Sequence, residues 1–583
     1  MCGIFGYIGT RETAGNLILD GLKLLEYRGY DSWGVAVKQT SGSIFIEKHP
    51  GKIGEAKLPP LSSHMGIGHT RWATHGGVTA ENAHPHVSQN KNIAVVHNGI
   101  VENFEELKSD LVKKGYHFCS ETDSEVIPHL LEEYVKTLTP LNAMQKLMQQ
   151  LKGMNAVLAF FVDSEECYIV KNGSPLVVGK AKEEVFVASD VSAILPHTQQ
   201  VHFVTDGELI RLSTEGAHIL KEKKLTELTF QHVAYDPAHD SQGNYPHIML
   251  KEIEEQPLVL ERFLTSHDDV ETAAQAIHNA YGTYLIGCGT ASYACLAGTY
   301  LFSKIAKRHV NFSISSEFSY LLDFLKHDSL VVALSQSGET IDTISSVSQA
   351  KQKGAKLLSV TNGVGSTLSR MADYSLFLSA GPERAVASTK AYTAKIALLY
   401  RIAHELAHSR DVGIRQLKDA IRAVVDIIRN KIKIRDLAKT ISSHDHIFIL
   451  GRGISYAAAL ESALKIKEVS YIHAEGFAAG ELKHGVIALI TQNTPVILYN
   501  PQDETYHDTL SAAHEVKARG AFVIGVSSVN NPVYDHWITV PHCDDASIIP
   551  QVVIAQLLGY YLALEKGFDP DKPRNLAKSV TVK

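Results

Sequence analysis

Hydrophobic and polar positions follow two different patterns along the chain. In roughly the first 230 residues, short β-rich runs such as 93–97, 157–162 and 185–188 alternate with amphipathic segments that predict helices over 13–26 and 124–135. This mixture predicts an α+β domain or a layered sandwich. Beyond it, the pattern becomes strand, Gly-rich turn and long helix, repeated, which predicts doubly wound parallel sheets.

A turn-rich segment separates the two patterns, and the later part of the chain matches itself. Residues 236–247 are dense in Pro, Gly, Asn and Asp, which is typical of a linker. The sequence around Gly287 is similar to that around Gly451, and the sequence around Gly354 to that around Gly520. Two matches in the same order, about 165 residues apart, predict two duplicated α/β domains.

Composition and charge narrow the possible functions. A chain of 583 residues is too long for one core. Its 56 Lys and Arg are well mixed with 63 Asp and Glu, so no basic stripe indicates nucleic acid or anionic lipid as a partner. The six cysteines lack metal-ligand spacing, no signal peptide is evident, and we expect no apolar run near the roughly 18 residues that span a bilayer. These features predict a reduced, cytoplasmic protein without a metal.

The residue after Met1 is a candidate nucleophile. Removal of Met1 would leave Cys2 with both a thiol and a free α-amine. An α-amine has an unperturbed pKa of about 7.7–8.0, so it can accept the thiol proton near neutral pH. The alternative is that Cys2 fills a small apolar space, which its position alone favours.

A candidate phosphate site follows a buried strand. The strand predicted over 330–334 leads into Ser335-Gln336-Ser337-Gly338-Glu339-Thr340, and a helix is predicted from Ile341. Hydroxyl groups and free backbone N–H groups at a helix N-terminus suit a phosphate dianion. An ordinary helix cap is the alternative. The duplicated copy has Asn500-Pro501-Gln502-Asp503 instead, so we expect one phosphate site per chain, in the first copy.

These motifs together resemble one enzyme family over essentially the whole chain. The front half is similar to N-terminal-nucleophile glutaminases, and the rear half to the sugar isomerase domains of the glucosamine-6-phosphate synthase family, the glutamine:fructose-6-phosphate aminotransferases. The motifs that carry the resemblance are Cys2-Gly-Ile-Phe-Gly, Tyr27-Arg-Gly-Tyr-Asp-Ser, Gly68-His-Thr-Arg-Trp-Ala-Thr-His-Gly, His97-Asn-Gly, Ser120-Glu-Thr-Asp, Ser335-Gln-Ser-Gly-Glu-Thr, Val386-Ala-Ser-Thr-Lys, Glu481-Leu-Lys-His-Gly and Pro573-Arg-Asn-Leu-Ala-Lys.

For the glutaminase half, the resemblance implies a thioester mechanism. Cys2 would attack the side-chain carbonyl of glutamine and release ammonia, with the oxyanion stabilised by Asn98 and the backbone N–H of Gly99. The residues implied in binding glutamine, or in ordering the N-terminal residue, are Arg28, Arg71, Trp72, Thr74, His75 and Asp123. Residues 122–125 also match a capping box, and Trp72 could be plain core.

For the isomerase half, the resemblance implies Schiff-base chemistry on a ketose phosphate. Lys578 would form the Schiff base, His484 would open the sugar ring, and Glu468 would move the proton, assisted by Lys465. Spacing alone would also allow a surface ion-pair ladder of Glu461, Lys465 and Glu468. A solvated tail lysine and a surface histidine are the alternatives for Lys578 and His484. The implied sugar-phosphate ligands are Thr290, Ser292, Ser335, Gln336, Ser337, Thr340, Val386, Ala387 and Ser388.

The resemblance implies a multidomain α+β and α/β protein in five parts. We expect an αββα glutaminase sandwich followed by two tandem, doubly wound sugar isomerase domains. The expected bounds are 2–235 for the glutaminase, 236–250 for the linker, 251–415 and 416–570 for the isomerase domains, and 571–583 for a catalytic C-terminal tail. The family also implies an ammonia channel gated by Trp72, and a homodimer in which His484 serves the neighbouring subunit.

Two departures from the family pattern stand out, and other functions remain open. Trp33 takes the place of a small residue, which we expect to bring a large ring close to the glutaminase pocket, and Ala291 takes the place of a phosphate-contacting serine, whose role we assign to Ser292. The predicted partners are L-glutamine and D-fructose 6-phosphate, with no cofactor. The alternatives are a paralogue that aminates another ketose phosphate, a deglycase, or a non-catalytic sugar-phosphate sensor. An amidophosphoribosyltransferase would share the front half but not the duplicated domains.

Overall fold

The computed structural model describes residues 2–233, 242–265 and 268–581. Residues 236–241 of the expected linker and residues 582–583 of the expected tail lie outside the described residues. The chain forms two compact units. The first comprises Met1–Ala238 with Ser579–Lys583, and the second comprises His239–Lys578.

The first unit contains two antiparallel sheets. One sheet has the strand order β15-β11-β9-β10-β1-β4-β2-β3, and the other has the order β14-β13-β12-β8-β7-β6-β5. The strands are β1 Gly3–Gly9, β2 Ser32–Lys38, β3 Ile44–Pro50, β4 Met65–Arg71, β5 His86–Val87, β6 Ile93–Gly99, β7 Asn155–Phe161, β8 Cys167–Asn172, β9 Val177–Ala181, β10 Glu184–Ala188, β11 Gln200–Phe203, β12 Leu209–Ser213, β13 Gly216–Lys221, β14 Lys224–Glu227 and β15 Gln231–His232.

Helices cover the outer faces of both sheets, because each sheet has apolar residues on both sides. The helices are α1 Ala14–Leu25, α2 Phe104–Lys113, α3 Val126–Val135 and α4 Pro140–Gln150. Helix α1 buries Ile18, Leu22 and Leu25 against the first sheet, while α2 to α4 pack on the second. A third cluster, which includes Ile4 and Leu158, fills the space between the sheets. The expected αββα sandwich is confirmed, with α1 and α3 close to their predicted bounds.

The second unit contains two parallel five-stranded sheets of the same topology. Their strand orders are β17-β16-β18-β19-β20 and β22-β21-β23-β24-β25. The strands are β16 Gly282–Gly287, β17 Asn311–Ile314, β18 Ser329–Ser335, β19 Lys356–Thr361, β20 Tyr374–Phe377, β21 His446–Gly451, β22 His473–Ala478, β23 Pro495–Tyr499, β24 Phe522–Ser527 and β25 His536–Thr539. Identical order in the two sheets is what the internal sequence repeat predicts.

Helices flank and join these two sheets. They are α5 Ile248–Glu254, α6 Gln256–Glu261, α7 Asp268–Asn279, α8 Thr290–Lys304, α9 Ser315–Phe318, α10 Ile341–Gln352, α11 Thr367–Met371, α12 Lys390–Leu406, α13 Arg410–Arg429, α14 Lys431–Ile441, α15 Ile454–Ser470, α16 Tyr506–Lys517 and α17 Ile548–Glu565. One apolar cluster contains side chains from both sheets and from α8, α12, α15 and α17. The division expected between residues 415 and 416 falls inside α13.

The segment Asp544–Glu565, which includes α17, corrects one sequence expectation. It is long and apolar enough to cross a membrane by length and composition, so an apolar run of about 18 residues does occur. However, 94% of its apolar window is buried inside the protein, as in the core helix of a globular domain. Helix α17 packs against α13, α14 and α15 within the second unit.

Candidate active site

Cys2 lies immediately before β1, and its backbone and side chain are both engaged. Its Sγ atom is 3.5 Å from the backbone N of Trp72, which donates to it, and 3.6 Å from the Trp72 carbonyl oxygen. Its own carbonyl oxygen accepts hydrogen bonds from Arg28 Nε at 3.3 Å and Asn98 Nδ2 at 3.2 Å. The residue is therefore held at the start of β1, with Asn98 next to it.

A buried histidine fixes the orientation of the Asn98 amide. His69 Nε2 lies 3.0 Å from both the His97 carbonyl oxygen and Asn98 Oδ1. A carbonyl can only accept, so Nε2 carries the proton and donates to both oxygens. Burial lowers the pKa of His69 to about 3, which keeps the ring neutral. The Asn98 NH₂ group must then face Cys2 and the Ser189 hydroxyl, which is 2.8 Å away.

The backbone around Gly99, the residue after Asn98, leaves no space for a side chain. Gly99 has φ +135, and a Cβ atom there would lie 1.8 Å from the Met154 carbonyl oxygen. A larger residue would collide with fixed backbone and displace the strand end. The predicted oxyanion donors, Asn98 and Gly99, therefore lie together at the C-terminal end of β6.

The two predicted ligands of an amino-acid substrate are both buried polar groups. Arg71 donates to the carbonyl oxygens of Gly77 at 3.1 Å, Gly76 at 3.3 Å and His75. Burial lowers the pKa of its guanidinium, while Cys2, Asp31 and Asp123 raise it. The Asp123 carboxylate accepts a 2.7 Å hydrogen bond from the Val101 backbone. A guanidinium and a carboxylate in one domain are the groups that would bind an α-carboxylate and an α-ammonium.

The remaining predicted glutamine-site residues differ in exposure. Arg28 is buried and forms an ion pair of 3.4 Å with Asp190, besides its bond to Cys2. Trp72 is half-buried, Thr74 is exposed, and the His75 ring meets the Phe104 ring edge-on at 5.6 Å.

One expectation and one alternative for this unit are wrong. Trp33 does not approach the predicted pocket, because its ring packs into the cluster under α1, on the outer face of the first sheet, and stacks on His49 at 4.8 Å. Residues 122–125 do not form a capping box. Glu125 instead accepts from the backbone N–H groups of Cys119 and Ser120 at 2.8 and 2.7 Å.

In the second unit, the predicted phosphate loop joins β18 to α10. Ser335 ends the strand, and its hydroxyl lies 2.9 Å from the Thr340 hydroxyl and accepts from the Gly338 backbone at 3.0 Å. The Ser337 hydroxyl accepts from the Glu339 backbone at 3.1 Å. Gln336 is half-buried, and its carbonyl oxygen accepts from the backbone of residues 362 and 363. The strand and helix bounds agree with the sequence prediction.

Lys578 is buried and ion-paired rather than solvated. Its Nζ atom lies 2.6 Å from Glu383 Oε2 and donates to the Ala385 carbonyl oxygen at 2.8 Å. Glu383 is fully buried, and its other oxygen accepts from the backbone N–H groups of Thr389 at 2.9 Å and Ala391 at 3.0 Å. Burial raises the pKa of Glu383, but Lys578 and these donors outweigh it and hold the pKa well below its usual range.

The loop between Glu383 and α12 carries the predicted sugar-contacting residues. The Ser388 hydroxyl donates to Glu383 Oε2 at 3.0 Å, and the Val386 backbone N–H donates to the Asp571 carbonyl oxygen at 3.1 Å. Ala387 belongs to the apolar cluster. The loop and the C-terminal segment that carries Lys578 are therefore hydrogen-bonded to each other.

The charged row on α15 is buried, so it is not a surface ladder. Lys465 Nζ lies 2.6 Å from Glu468 Oε2 and 3.6 Å from Glu461 Oε1. The side chains of Glu461 and Lys465 are at most 1% exposed, whereas that of Glu468 is 20% exposed. Burial raises the pKa of Glu461 to about 7. The Thr290 hydroxyl donates to Glu461 at 3.3 Å, which connects α8 to this row.

Two predicted residues are not joined to these groups. The imidazole of His484, at the end of the 3-10 turn Ala479–His484, is exposed, and no hydrogen bond or ion pair among the described residues connects it to Lys578 or Glu468. Ser292 is buried, and its hydroxyl donates to the Gly289 carbonyl oxygen at 2.7 Å. Its neighbour Ala291 packs into the apolar cluster.

Comparisons with known proteins agree with the domain types expected for the two parts of the chain. Residues 69–196 match the model of a glutamine amidotransferase domain, and residues 276–405 and 440–564 match that of the SIS domain. The chain is 41% identical to the glutamine–fructose-6-phosphate aminotransferase (isomerizing) of Clostridium acetobutylicum, with all of both chains covered. The protein of the same name from Thermococcus kodakarensis is 42% identical, again over all of both chains. The chain belongs to this aminotransferase family.

A solved structure of a family member covers the second unit. The C-terminal domain of glucosamine-fructose-6-phosphate aminotransferase from Francisella tularensis superposes with a TM-score of 0.53 at 34% identity. The match covers 57% of this chain and 99% of that domain. The predicted SIS architecture is confirmed, as is the expected family.

The structure of this aminotransferase family member also contains buried charged residues that were not among the predicted site residues. They are Glu383, which pairs with Lys578; Glu252 on α5; and Lys395 on α12, whose pKa burial lowers to about 8. A signal was present for Glu252, because Met249, Glu252, Ile253 and Gln256 recur at helical spacing on one buried face. Among residues 2–233, 242–265 and 268–581, no cluster of three or more His, Cys, Asp or Glu side chains could hold a metal ion.

Proposed function

We propose that the protein transfers the amide nitrogen of L-glutamine to D-fructose 6-phosphate and isomerises the product, giving D-glucosamine 6-phosphate and L-glutamate. The family relationship over the full length supports this reaction. The observation that carries the proposal is that one chain holds both candidate centres, with Cys2 beside Asn98 and Lys578 buried against Glu383.

In the proposed glutaminase step, the Cys2 thiolate attacks the side-chain carbonyl carbon of glutamine. The carbonyl oxygen gains the negative charge and accepts hydrogen bonds from Asn98 Nδ2 and the Gly99 N–H. As this intermediate collapses, the Cys2 α-ammonium gives its proton to the departing nitrogen, so that ammonia leaves. The thioester that remains is hydrolysed by water to glutamate. Arg71 and Asp123 bind the α-carboxylate and α-ammonium, and a free Cys2 α-amine takes the thiol proton.

In the proposed sugar step, Lys578 forms the covalent bond. His484 opens the ring, the unprotonated Lys578 amine adds to the ketone carbon C2, and water leaves. Ammonia then displaces Lys578, and Glu468 moves a proton from C1 to C2, giving the aldose amine. The Ser335–Thr340 loop at the start of α10 binds the phosphate. Lys465 Nζ, 2.6 Å from Glu468 Oε2, holds that carboxylate in place.

The proposal includes a homodimer in the cytoplasm. The exposed His484 side chain, which no described contact connects to Lys578, supports its use in the site of a second copy. A dimer also explains why a single chain would leave the ring-opening residue outside the sugar site.

A coupled assay tests the proposal. Purified protein is supplied with glutamine and fructose 6-phosphate, and glutamate and glucosamine 6-phosphate are measured together. Equal yields of both products are expected from the wild type. Cys2→Ala should lose both products, whereas Lys578→Ala should lose glucosamine 6-phosphate. Glutamate without amino sugar would indicate another ketose phosphate as the acceptor, and absence of both products would favour a sugar-phosphate sensor.

A further inference from the structure

Glu252, which the proposed reaction does not use, lies behind the Lys578 site. It is on α5, the helix that begins at Ile248, and is 2% exposed. Its Oε1 atom accepts hydrogen bonds from the backbone N–H groups of Arg384 at 2.5 Å and Ala385 at 3.2 Å. Its Oε2 atom is buried and has no hydrogen-bond partner in the described part of the chain.

The residues that Glu252 binds are the ones that hold Lys578. Ala385 donates its N–H to Glu252 and offers its carbonyl oxygen to Lys578 Nζ. Glu383, one residue before Arg384, forms the ion pair with Lys578. Displacement of this backbone would therefore move both groups that position the lysine.

The C-terminal segment reinforces the same arrangement. Asp571 accepts from the backbone N–H groups of Ile248 and Met249, at 2.8 and 2.7 Å, at the start of α5. The carbonyl oxygen of Asp571 accepts from Val386 at 3.1 Å. Three consecutive backbone donors, at residues 384 to 386, are thus held by α5 and the C-terminal segment.

We propose that Glu252 is a positioning residue for Lys578, and that it acts as a neutral carboxylic acid which clamps the backbone of Arg384 and Ala385. The proposal rests on the proposed role of Lys578 in the sugar reaction. It explains why a glutamate occupies the buried face of α5, where an apolar residue would leave two buried N–H groups without acceptors.

The surrounding charges explain the neutral state. Burial, together with the nearby Glu383 carboxylate, raises the pKa of Glu252 to about 8, although Lys578 and Lys390 act to lower it. Lys578 is already paired with Glu383, and Lys390 with Glu255 at 2.7 Å. A second buried carboxylate would have no cation of its own, so the proton remains on Glu252.

Three variants of the full-length protein test the clamp. Glu252→Ala removes the acceptor, and Glu252→Gln keeps a neutral carbonyl of the same shape. Glu254→Gln is the matched control, because Glu254 lies on the same helix and pairs instead with Lys431 at 2.7 Å. The readouts are kcat and KM for amino-sugar formation, and borohydride trapping of fructose 6-phosphate on Lys578, located by mass spectrometry.

At pH 7, Glu252→Ala should lower kcat and the trapped fraction at least tenfold, whereas Glu252→Gln and Glu254→Gln should stay within threefold of the wild type. Above pH 8, ionised Glu252 places a second buried carboxylate beside Glu383 and disturbs the clamp, so trapping in the wild type should fall relative to Glu252→Gln. Unchanged kcat and trapping in Glu252→Ala would overturn the clamp. An equal fall of kcat and trapping in Glu252→Gln and Glu252→Ala would overturn the proposal that Glu252 is neutral.

Failure of the proposed function gives a different result. In that case the wild type forms neither amino sugar nor a Lys578 adduct, and the clamp is then read from hydrogen exchange of the wild type. The amides of Arg384 and Ala385 should be strongly protected at pH 7, and exchange at the rate of an open loop would overturn the proposal. This measurement also serves if Glu252→Ala does not fold.

Discussion

Substitution of Glu383 by Gln tests the arrangement around Lys578 most directly. The change keeps the shape of the side chain and an oxygen that can accept from Thr389 and Ala391, but removes the negative charge. Lys578, which is 3% exposed, would then be a buried ammonium without its ion-pair partner. We therefore expect a loss of stability that comes from the missing charge and not from altered packing.

Two estimates of this loss agree. Removal of one partner of a buried ion pair destabilises a protein by about 3–5 kcal/mol. Alternatively, Lys578 can lose its proton, and neutralising an amine of pKa about 10.4 at pH 7 costs roughly 4–5 kcal/mol. By either route, Glu383→Gln should destabilise the second unit by about 3–5 kcal/mol, and the melting temperature should fall by roughly 5 °C or more.

Calorimetry of the full-length protein measures this effect, with the transition of the second unit assigned from hydrogen exchange of peptides from that unit. The double variant Glu383→Gln/Lys578→Met should recover most of the loss, because no buried charge remains unpaired. Asp323→Asn, which breaks an exposed ion pair with Lys353, should leave the transition unchanged. A loss below about 1 kcal/mol in Glu383→Gln, or a double variant no more stable than the single one, would show that Glu383 does not stabilise a buried Lys578 ammonium.

Three further predictions follow from the same structure. His69→Ala should lower glutamate release about tenfold with little change in the KM for glutamine, because the Asn98 amide loses the donor that orients it. Burial raises the pKa of Glu461 to about 7 from an ordinary value of 4.5. The folded state therefore keeps a proton that the unfolded state releases between these pH values, so stability falls by up to about 3 kcal/mol as pH rises through this window. Glu461→Gln should flatten that fall, measured as melting temperatures at pH 5 and 7. Gly338→Ala should raise the KM for fructose 6-phosphate at least tenfold, because φ is +67 and the added Cβ would lie 2.1 Å from Ser366 Oγ.

Each of these has a control. His117→Ala, at an exposed histidine, is the control for His69→Ala. Unchanged glutamate release in His69→Ala would contradict the role of His69 in orienting the Asn98 amide. Parallel pH profiles of wild type and Glu461→Gln would show that Glu461 does not titrate in this window. Gly354→Ala is the control for Gly338→Ala. Gly354 also has a positive φ, of +88, but a Cβ atom there would have its nearest neighbouring atom at 3.4 Å. An equal rise in KM in Gly354→Ala would show that backbone strain alone, and not the collision with Ser366, explains the effect at Gly338.

Several features of the protein follow from local sequence pattern alone. Apolar periodicity placed β18 and α10 around the phosphate loop, and the recurrence of Gly287 at Gly451 predicted two domains of one topology. These succeed because strand and helix periods, and Gly-rich turns, are properties of neighbouring residues. The motif order likewise indicated the family that the comparisons show.

Packing between distant elements sets which charged residues pair inside the protein and on which face of its sheet the Trp33 ring lies. Glu461 and Lys465 have the spacing of a surface ladder, yet they are buried because α15 packs against both α8 and α17. Trp33 lies under α1, since its strand is covered by a helix on that side. Glu252 and Glu383 meet near Lys578 from segments more than 100 residues apart. Charge pairing depends on which distant elements meet, and local sequence pattern carries no record of that.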